Sequence, residues 1–257
     1  MSVRSAIRNP QSAIILAVTG ASGGPYALRV LEVLESAGRE VHLIVSPMGR
    51  RLLADECGVK TLEPEALIGR GSDRVHLHAY RDVGSPLASG SYLTGGMVIC
   101  PCTSNTLGAV ASGLGDNLIT RAAHVTLKES RRLILVPREM PLSAIDLENM
   151  LKLQRAGAVI CPAAPGFYLR PRTIDDLVDF VAGKVLDLLG VEHALKTRWG
   201  ERPAAAGPRT ARATRVEPAP LRPRGRPTAG SNASARPRSA SRWIGGPPPE
   251  RGKEPAE

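Results

Sequence analysis

Apolar residues along this chain fall into short unbroken runs, separated by longer stretches in which they recur every three or four positions. The runs cover 13–19 (AIILAVT), 41–45, 97–100, 133–136 and 158–161. Segments this short and this uniformly apolar predict strands covered on both faces, as in a parallel sheet. The periodic stretches predict helices over about 25–36, 47–57, 103–112, 117–129, 143–156 and 173–189. Thr173 and Asp176 have the spacing of an N-cap and its N3 partner at the start of the last helix. Residues 75–77 read as a further short strand, and 58–73 as less regular. Strand and helix alternate throughout, which predicts a single α/β domain built on a doubly wound parallel sheet.

Three of the runs end in a proline and then release polar or reactive residues. They are MVICP into Cys102-Thr103-Ser104-Asn105-Thr106, LILVP into Arg138-Glu139, and AVICP into Ala163-Ala164-Pro165-Gly166-Phe167-Tyr168. Proline has no N–H for the ladder, so each strand is expected to stop where its polar group begins. In an open α/β sheet, ligands sit outside the carboxyl ends of the strands. Gly20-Ala21-Ser22-Gly23-Gly24 lies between the first strand and the first helix. Its backbone, and the helix end behind it, suit a phosphate. The spacing is neither G-x-G-x-x-G nor a Walker A. Ser46 ends the second strand beside that turn, where it serves a ligand or caps the following helix. Arg138 has the fork that grips phosphate, and Glu139 beside it can move a proton. Together these strand ends predict a site for a phosphorylated small molecule.

The net charge of +10 changes this picture little, because it is concentrated at one end. Residues 201–257 carry 12 Lys+Arg against 5 Asp+Glu and hold 11 of the 22 prolines. They show no apolar periodicity, so they are expected to form a disordered tail. A solvated extension is the expectation there, with nucleic-acid binding disfavoured. Residues 1–11 read as a flexible N-terminus without the apolar core of a secretory signal. No apolar run approaches the roughly 18 residues of a membrane span. Cys57, Cys100, Cys102 and Cys161 include no C-x-x-C, which predicts reduced thiols in a cytoplasmic protein. The two-residue spacing of Cys100 and Cys102 places them on one strand face. The five histidines show no zinc-ligand spacing with the cysteines, so no metal is expected.

Read as a set, the segments AVTGASGGPYALRVLEVL, LIVSPMGRRLLADE, ASGSY, MVICPCTSNTLGAVASG, NLITRAAHVTLKESRRLILVPREMPLS, AIDLENMLKLQRAGAVICPAAPGFYLRP and DDLVDFVAGKVLDLLG resemble the UbiX-type flavin prenyltransferases. The likeness runs over about 12–200 and leaves out the tail. It implies a flavodoxin-like (Rossmann-like) fold in a cytoplasmic homo-oligomer, typically a dodecamer. The implied reaction joins the dimethylallyl group of dimethylallyl phosphate to N5 and C6 of reduced FMN, without a metal. The implied product, prenylated FMN, serves a UbiD-type decarboxylase.

The resemblance also implies residue roles. Gly20, Ala21, Ser22, Ser46, Thr103, Ser104, Asn105, Thr106 and Arg138 would bind FMN. Tyr168 and Lys184 would hold the dimethylallyl phosphate. Glu139, Lys128, Arg121, Glu56 and Ser22 would serve the reacting centre. Two positions depart from the family pattern. Lys184 stands where an arginine is common, and Pro47 where a lysine is common; a lysine is a point charge, not a bidentate fork. Two other readings of the same fold are an FMN-dependent decarboxylase and an FMN-binding protein without chemistry.

Overall fold

The computed structural model describes residues 13–195 and Thr197. Six strands, β1 (Ala13–Val18), β2 (Glu40–Val45), β3 (Val75–His78), β4 (Gly96–Cys102), β5 (Leu133–Pro137) and β6 (Val159–Ile160), form one sheet. The helices are α1 (Gly24–Ser36), α2 (Pro47–Cys57), α3 (Pro64–Ile68), α4 (Ser104–Ala111), α5 (Leu118–Lys128), α6 (Ala144–Arg155) and α7 (Ile174–Leu189). The strand order is β3-β2-β1-β4-β5-β6 and every pairing is parallel. This is the doubly wound order; without the short edge strand β3 it is that of flavodoxin-like sheets. The chain leaves β1 toward β2 on one side and returns to β4 on the other, so the switch point lies between the carboxyl ends of β1 and β4.

The core divides by strand alternation. Ile14, Leu16, Val18, Leu43, Val98 and Ile134 pack with α1, α2, α3 and α7 on one face. Ile15, Ala17, Ile44, Met97, Ile99 and Leu135 pack with α4, α5 and Leu153 of α6 on the other. Thr173 caps α7 and forms the expected reciprocal box with Asp176; Ser143 and Asp146 do the same for α6.

Four expectations need correction. First, β4 does not stop at Pro101 but runs on to Cys102. The register between β4 and β5 shifts between Ile99 and Cys102, and a proline is tolerated at such an irregularity. Second, that shift separates the two cysteines. Cys100 lies in the core against α1 and α7, Cys102 in the core against α4 and α5. Third, β6 is an edge strand of two residues, half-buried and not covered on both faces. An apolar run alone cannot tell an edge from a centre. Fourth, the stretch 58–73, expected to be irregular, contains α3, opened by Pro64 and closed by Gly69. The expected flexible N-terminus, 1–11, and disordered tail, 201–257, lie outside the described residues.

Candidate functional site

The carboxyl ends of β2, β1, β4, β5 and β6 stand side by side in that order, and each carries one of the groups singled out in the sequence. The turn after β1 is built for close approach. A Cβ on Gly20 would stand 2.5 Å from Cβ of Met48, at the start of α2. Gly23 has φ +132°, a region that disfavours side chains, and leads into α1.

The end of α1 differs from the sequence expectation. Glu56 reaches over from α2, and its Oε2 accepts the N–H groups of Gly23 (2.9 Å) and Gly24 (2.8 Å). The amides that the turn offers to an external anion thus already hold a carboxylate of the same chain. Glu56 buttresses the turn, in which Gly20 is half-buried, Ala21 buried and Ser22 exposed. Ser46 is an N-cap: its Oγ accepts the N–H of Gly49 at 2.9 Å.

Across the switch point, Thr103 caps α4. Its Oγ1 accepts the Thr106 N–H (3.1 Å) and donates to Thr106 Oγ1 (2.9 Å). Ser104 is half-buried and Asn105 exposed at the same helix end. The Ser143 hydroxyl, and after it that of Ser104, hold the Asp146 carboxyl below its usual range, which ties the start of α6 to the start of α4.

Arg138 leaves β5 and turns back over the crevice, donating from Nε to the Ser22 carbonyl at 3.1 Å. This places a permanent cation against the glycine turn. Glu139 is exposed, and its Oε1 accepts the Met140 N–H at 3.2 Å.

Tyr168, beyond β6, is 53% exposed and stands edge-on to Phe180 of α7, with ring centroids 5.7 Å apart. Phe180 and Lys184 are four residues apart on α7, hence on one helix face. The Lys184 cation is near enough to Cys161, just after β6, to offset part of the burial that pushes this thiol up. Tyr168 and Lys184 therefore share one corner of the rim.

Two expected residues do not join this group within one chain. Lys128 is the last residue of α5, which delivers the chain to the amino end of β5. Its Nζ pairs with Glu129 and packs beside Gly90. Arg138 leaves the opposite end of β5, five residues and roughly 16 Å away along the strand. Arg121 lies one turn into α5 and donates to the Ala88 carbonyl at 3.2 Å.

Sequence reasoning missed a half-buried polar chain that runs from β2 to the segment between β3 and β4. Tyr92 Oη lies 2.8 Å from His42 Nε2, His42 Nδ1 lies 3.0 Å from His78 Nε2, and His78 Nδ1 lies 3.3 Å from Ser85 Oγ. Burial, and then His78, lower the His42 pKa to about 4. The only sequence signal was three histidines of matching parity on two strands, and parity across strands needs the register, which pairs His42 with His76. The four cysteines are free thiols. Burial raises the pKa of each, Cys57 to about 11, which keeps them protonated at neutral pH. Among the described residues no cluster of His, Cys, Asp and Glu could hold a metal ion, and no helix is long and apolar enough to cross a membrane.

A switch-point crevice with a glycine turn, a capped helix start and an arginine over the turn is the place where a doubly wound sheet takes a ligand. The Flavoprotein family model matches residues 2–186. The flavin prenyltransferase UbiX of Halalkalibacterium halodurans is 47% identical over 188 residues, 72% of this chain and 91% of that one. A crystal structure of AnUbiX (PadA1) in complex with FMN and dimethylallyl pyrophosphate is 40% identical, with a TM-score of 0.67 over 73% of this chain and 96% of that one. A dodecameric FMN-dependent UbiX-like decarboxylase from Escherichia coli O157:H7 is also 40% identical, with a TM-score of 0.68 over 73% and 98%. The chain belongs to the flavin prenyltransferase UbiX family.

Proposed function

We propose that the chain transfers a dimethylallyl group from a dimethylallyl phosphate ester to reduced FMN, and that FMN lies in the crevice between the ends of β1 and β4. The observation that carries this reading is the Arg138 guanidinium crossing from β5 to the Ser22 carbonyl at 3.1 Å. It holds a fixed cation directly on the turn that follows β1, at the switch point. The donor set fits FMN: the turn at Gly20, Ala21 and Ser22, polar side chains at Thr103–Thr106, and a planar cation suited to phosphate. Two relatives 40% identical to the chain, one holding FMN and the other FMN-dependent, support the choice of ligand.

Reduced FMN, when bound, supplies the electron-rich ring that the allyl carbon joins. The chain's own residues act around it. Tyr168 and Lys184 hold the donor phosphate at the β6 corner. Breaking the allylic C–O bond leaves charge on that phosphate, and Lys184 stabilises it where it develops. Glu139, exposed at the rim beside Arg138, takes up the proton released when the second bond to the flavin closes. Holding both reactants in one slot supplies much of the rate by orientation alone. The one Asp-rich run, Asp175-Asp176-Leu177-Val178-Asp179, serves the helix, with Asp176 closing the α7 capping box and Asp179 paired with Arg29, which fits transfer without magnesium.

Lys128 belongs to this centre only if another copy of the chain brings it, because one copy places it at the far rim. We therefore propose a homo-oligomer, and the E. coli relative suggests a dodecamer. Residues 12–200 form the catalytic domain, the tail 201–257 is dispensable to it, and the product passes to a UbiD-type decarboxylase in the cytoplasm. Arg138→Gln tests the reading. Weakening of FMN binding by about tenfold or more, with assembly intact, supports it; unchanged FMN affinity removes its carrying observation. A competing decarboxylase reading predicts carbon dioxide release from a substrate by the purified chain alone.

A further inference from the structure

The pairing of β1 with β4 ends at Ala17 and Ile99, before either strand reaches the crevice. One side chain takes over beyond that point. Thr19 is 2% exposed, and its Oγ1 donates to the Pro101 carbonyl at 2.7 Å. The same oxygen accepts the Thr103 N–H at 3.0 Å. The Thr19 N–H also donates to the Pro101 carbonyl, at 3.3 Å. A single hydroxyl thus joins the backbone on both sides of Cys102 to the end of β1. It does so in the segment where the register between β4 and β5 shifts. In the sequence Thr19 reads only as the last residue of an apolar run.

Its neighbours explain why this matters. Thr19 leads directly into Gly20-Ala21-Ser22, one wall of the crevice. Thr103, to which it is bonded, is the N-cap of α4, the other wall. The hydroxyl fixes the distance between the two walls and the direction in which α4 begins. Its donor is spent on Pro101, and its burial keeps it from any ligand. We propose that Thr19 is the positioning residue that sets the width of the FMN slot, acting through Thr103 and the glycine turn. This rests on the placement of FMN given above. The donor corner at Tyr168 and Lys184 stands on β6 and α7, beyond β5, and should not feel it.

Thr19→Val keeps the shape and removes the hydroxyl, whereas Thr19→Ser keeps the hydroxyl and removes the methyl. Both are made in the full chain, and FMN affinity is read from quenching of flavin fluorescence. The donor KM is measured at saturating FMN. Thr19→Val should raise the FMN Kd about tenfold, in line with loss of a buried hydrogen-bonded group. Thr19→Ser should stay within about threefold, and the donor KM should not move in either. A Val variant within twofold of the wild type overturns the proposal, as does a Ser variant as weak as the Val variant, which would make packing the cause. Should Thr19→Val fail to assemble, hydrogen exchange in the unaltered protein decides the matter instead. The Thr103 amide must exchange as slowly as the amides inside β4, and fast exchange overturns the proposal. If the unaltered protein fails to quench flavin fluorescence at all, the placement of FMN falls and the inference with it; quenching by the unaltered protein and by Thr19→Val alike sinks the inference alone.

Discussion

Acidification should destabilise this fold through His42, and the structure sets the size of the effect. His42 is 5% exposed on β2, with both ring nitrogens paired, to Tyr92 and to His78. Burial is the main cause of its low pKa and His78 the next; Glu40 opposes them and His76 adds to them. The pKa falls from 6.5 to about 4. The unfolded chain therefore takes up a proton near pH 6.5, while the folded chain refuses it until about pH 4. Stability from this group is complete above pH 6.5 and is lost as pH falls toward 4. At about 1.4 kcal/mol per unit, the loss approaches ~3 kcal/mol across the window, a large share of typical domain stability. His78, lowered by burial and by His76, adds to the loss in the same direction. The assay is urea unfolding at fixed protein concentration from pH 7.5 to pH 4.5, on the unaltered protein and on His42→Gln. The stability advantage of the unaltered protein over His42→Gln should shrink by about 2–3 kcal/mol on going to the acid end. Parallel pH dependences, or an NMR titration of His42 near pH 6.5, would show that His42 is not the source of the acid sensitivity.

Glu139→Gln should retain FMN binding but slow prenyl transfer about 100-fold or more, the usual scale for a lost acid–base group; turnover within a few-fold of normal would leave Glu139 no part in proton transfer. Gly49→Ala should lower stability by about 1–3 kcal/mol, as overpacking does, because the added Cβ would stand 2.4 Å from the Val18 carbonyl oxygen at the end of β1. An unchanged urea midpoint would show that this approach can relax. Truncation after Gly200 should leave assembly and prenyl transfer intact, as size exclusion and activity will report; a broken oligomer or an inactive enzyme would give the tail a role that its composition does not suggest.

What could be read from the sequence depended on how local the signal was. The runs that became β1, β2, β4 and β5 are unbroken and bounded, so their existence was plain, as was the cap at Thr173. The carboxyl-end rim followed from topology alone, which is why Gly20–Ser22, Thr103, Arg138 and Tyr168 fall on one edge of the sheet. Non-local features were hidden. Cys100 and Cys102 part because of a register shift against β5, which no count of residues reveals. Glu56 folds back onto the start of α1 across more than thirty residues of chain and so fills the anion site that the glycine turn advertised. Lys128 and Arg138 look close in sequence, but the length of β5 separates them. Thr19 and His42 were invisible for a related reason: each sits in an apolar run, and its partners arrive from other strands and loops.

The most direct test is the mass of the flavin itself. Purified protein is incubated without oxygen and without magnesium with reduced FMN and dimethylallyl monophosphate, and in parallel with the pyrophosphate. The flavin is then extracted and weighed by mass spectrometry. Metal-free prenyl transfer requires a flavin heavier by one five-carbon prenyl unit with at least one of the two donors. An unchanged flavin with both donors, or a product that forms only when magnesium is added, would rule it out.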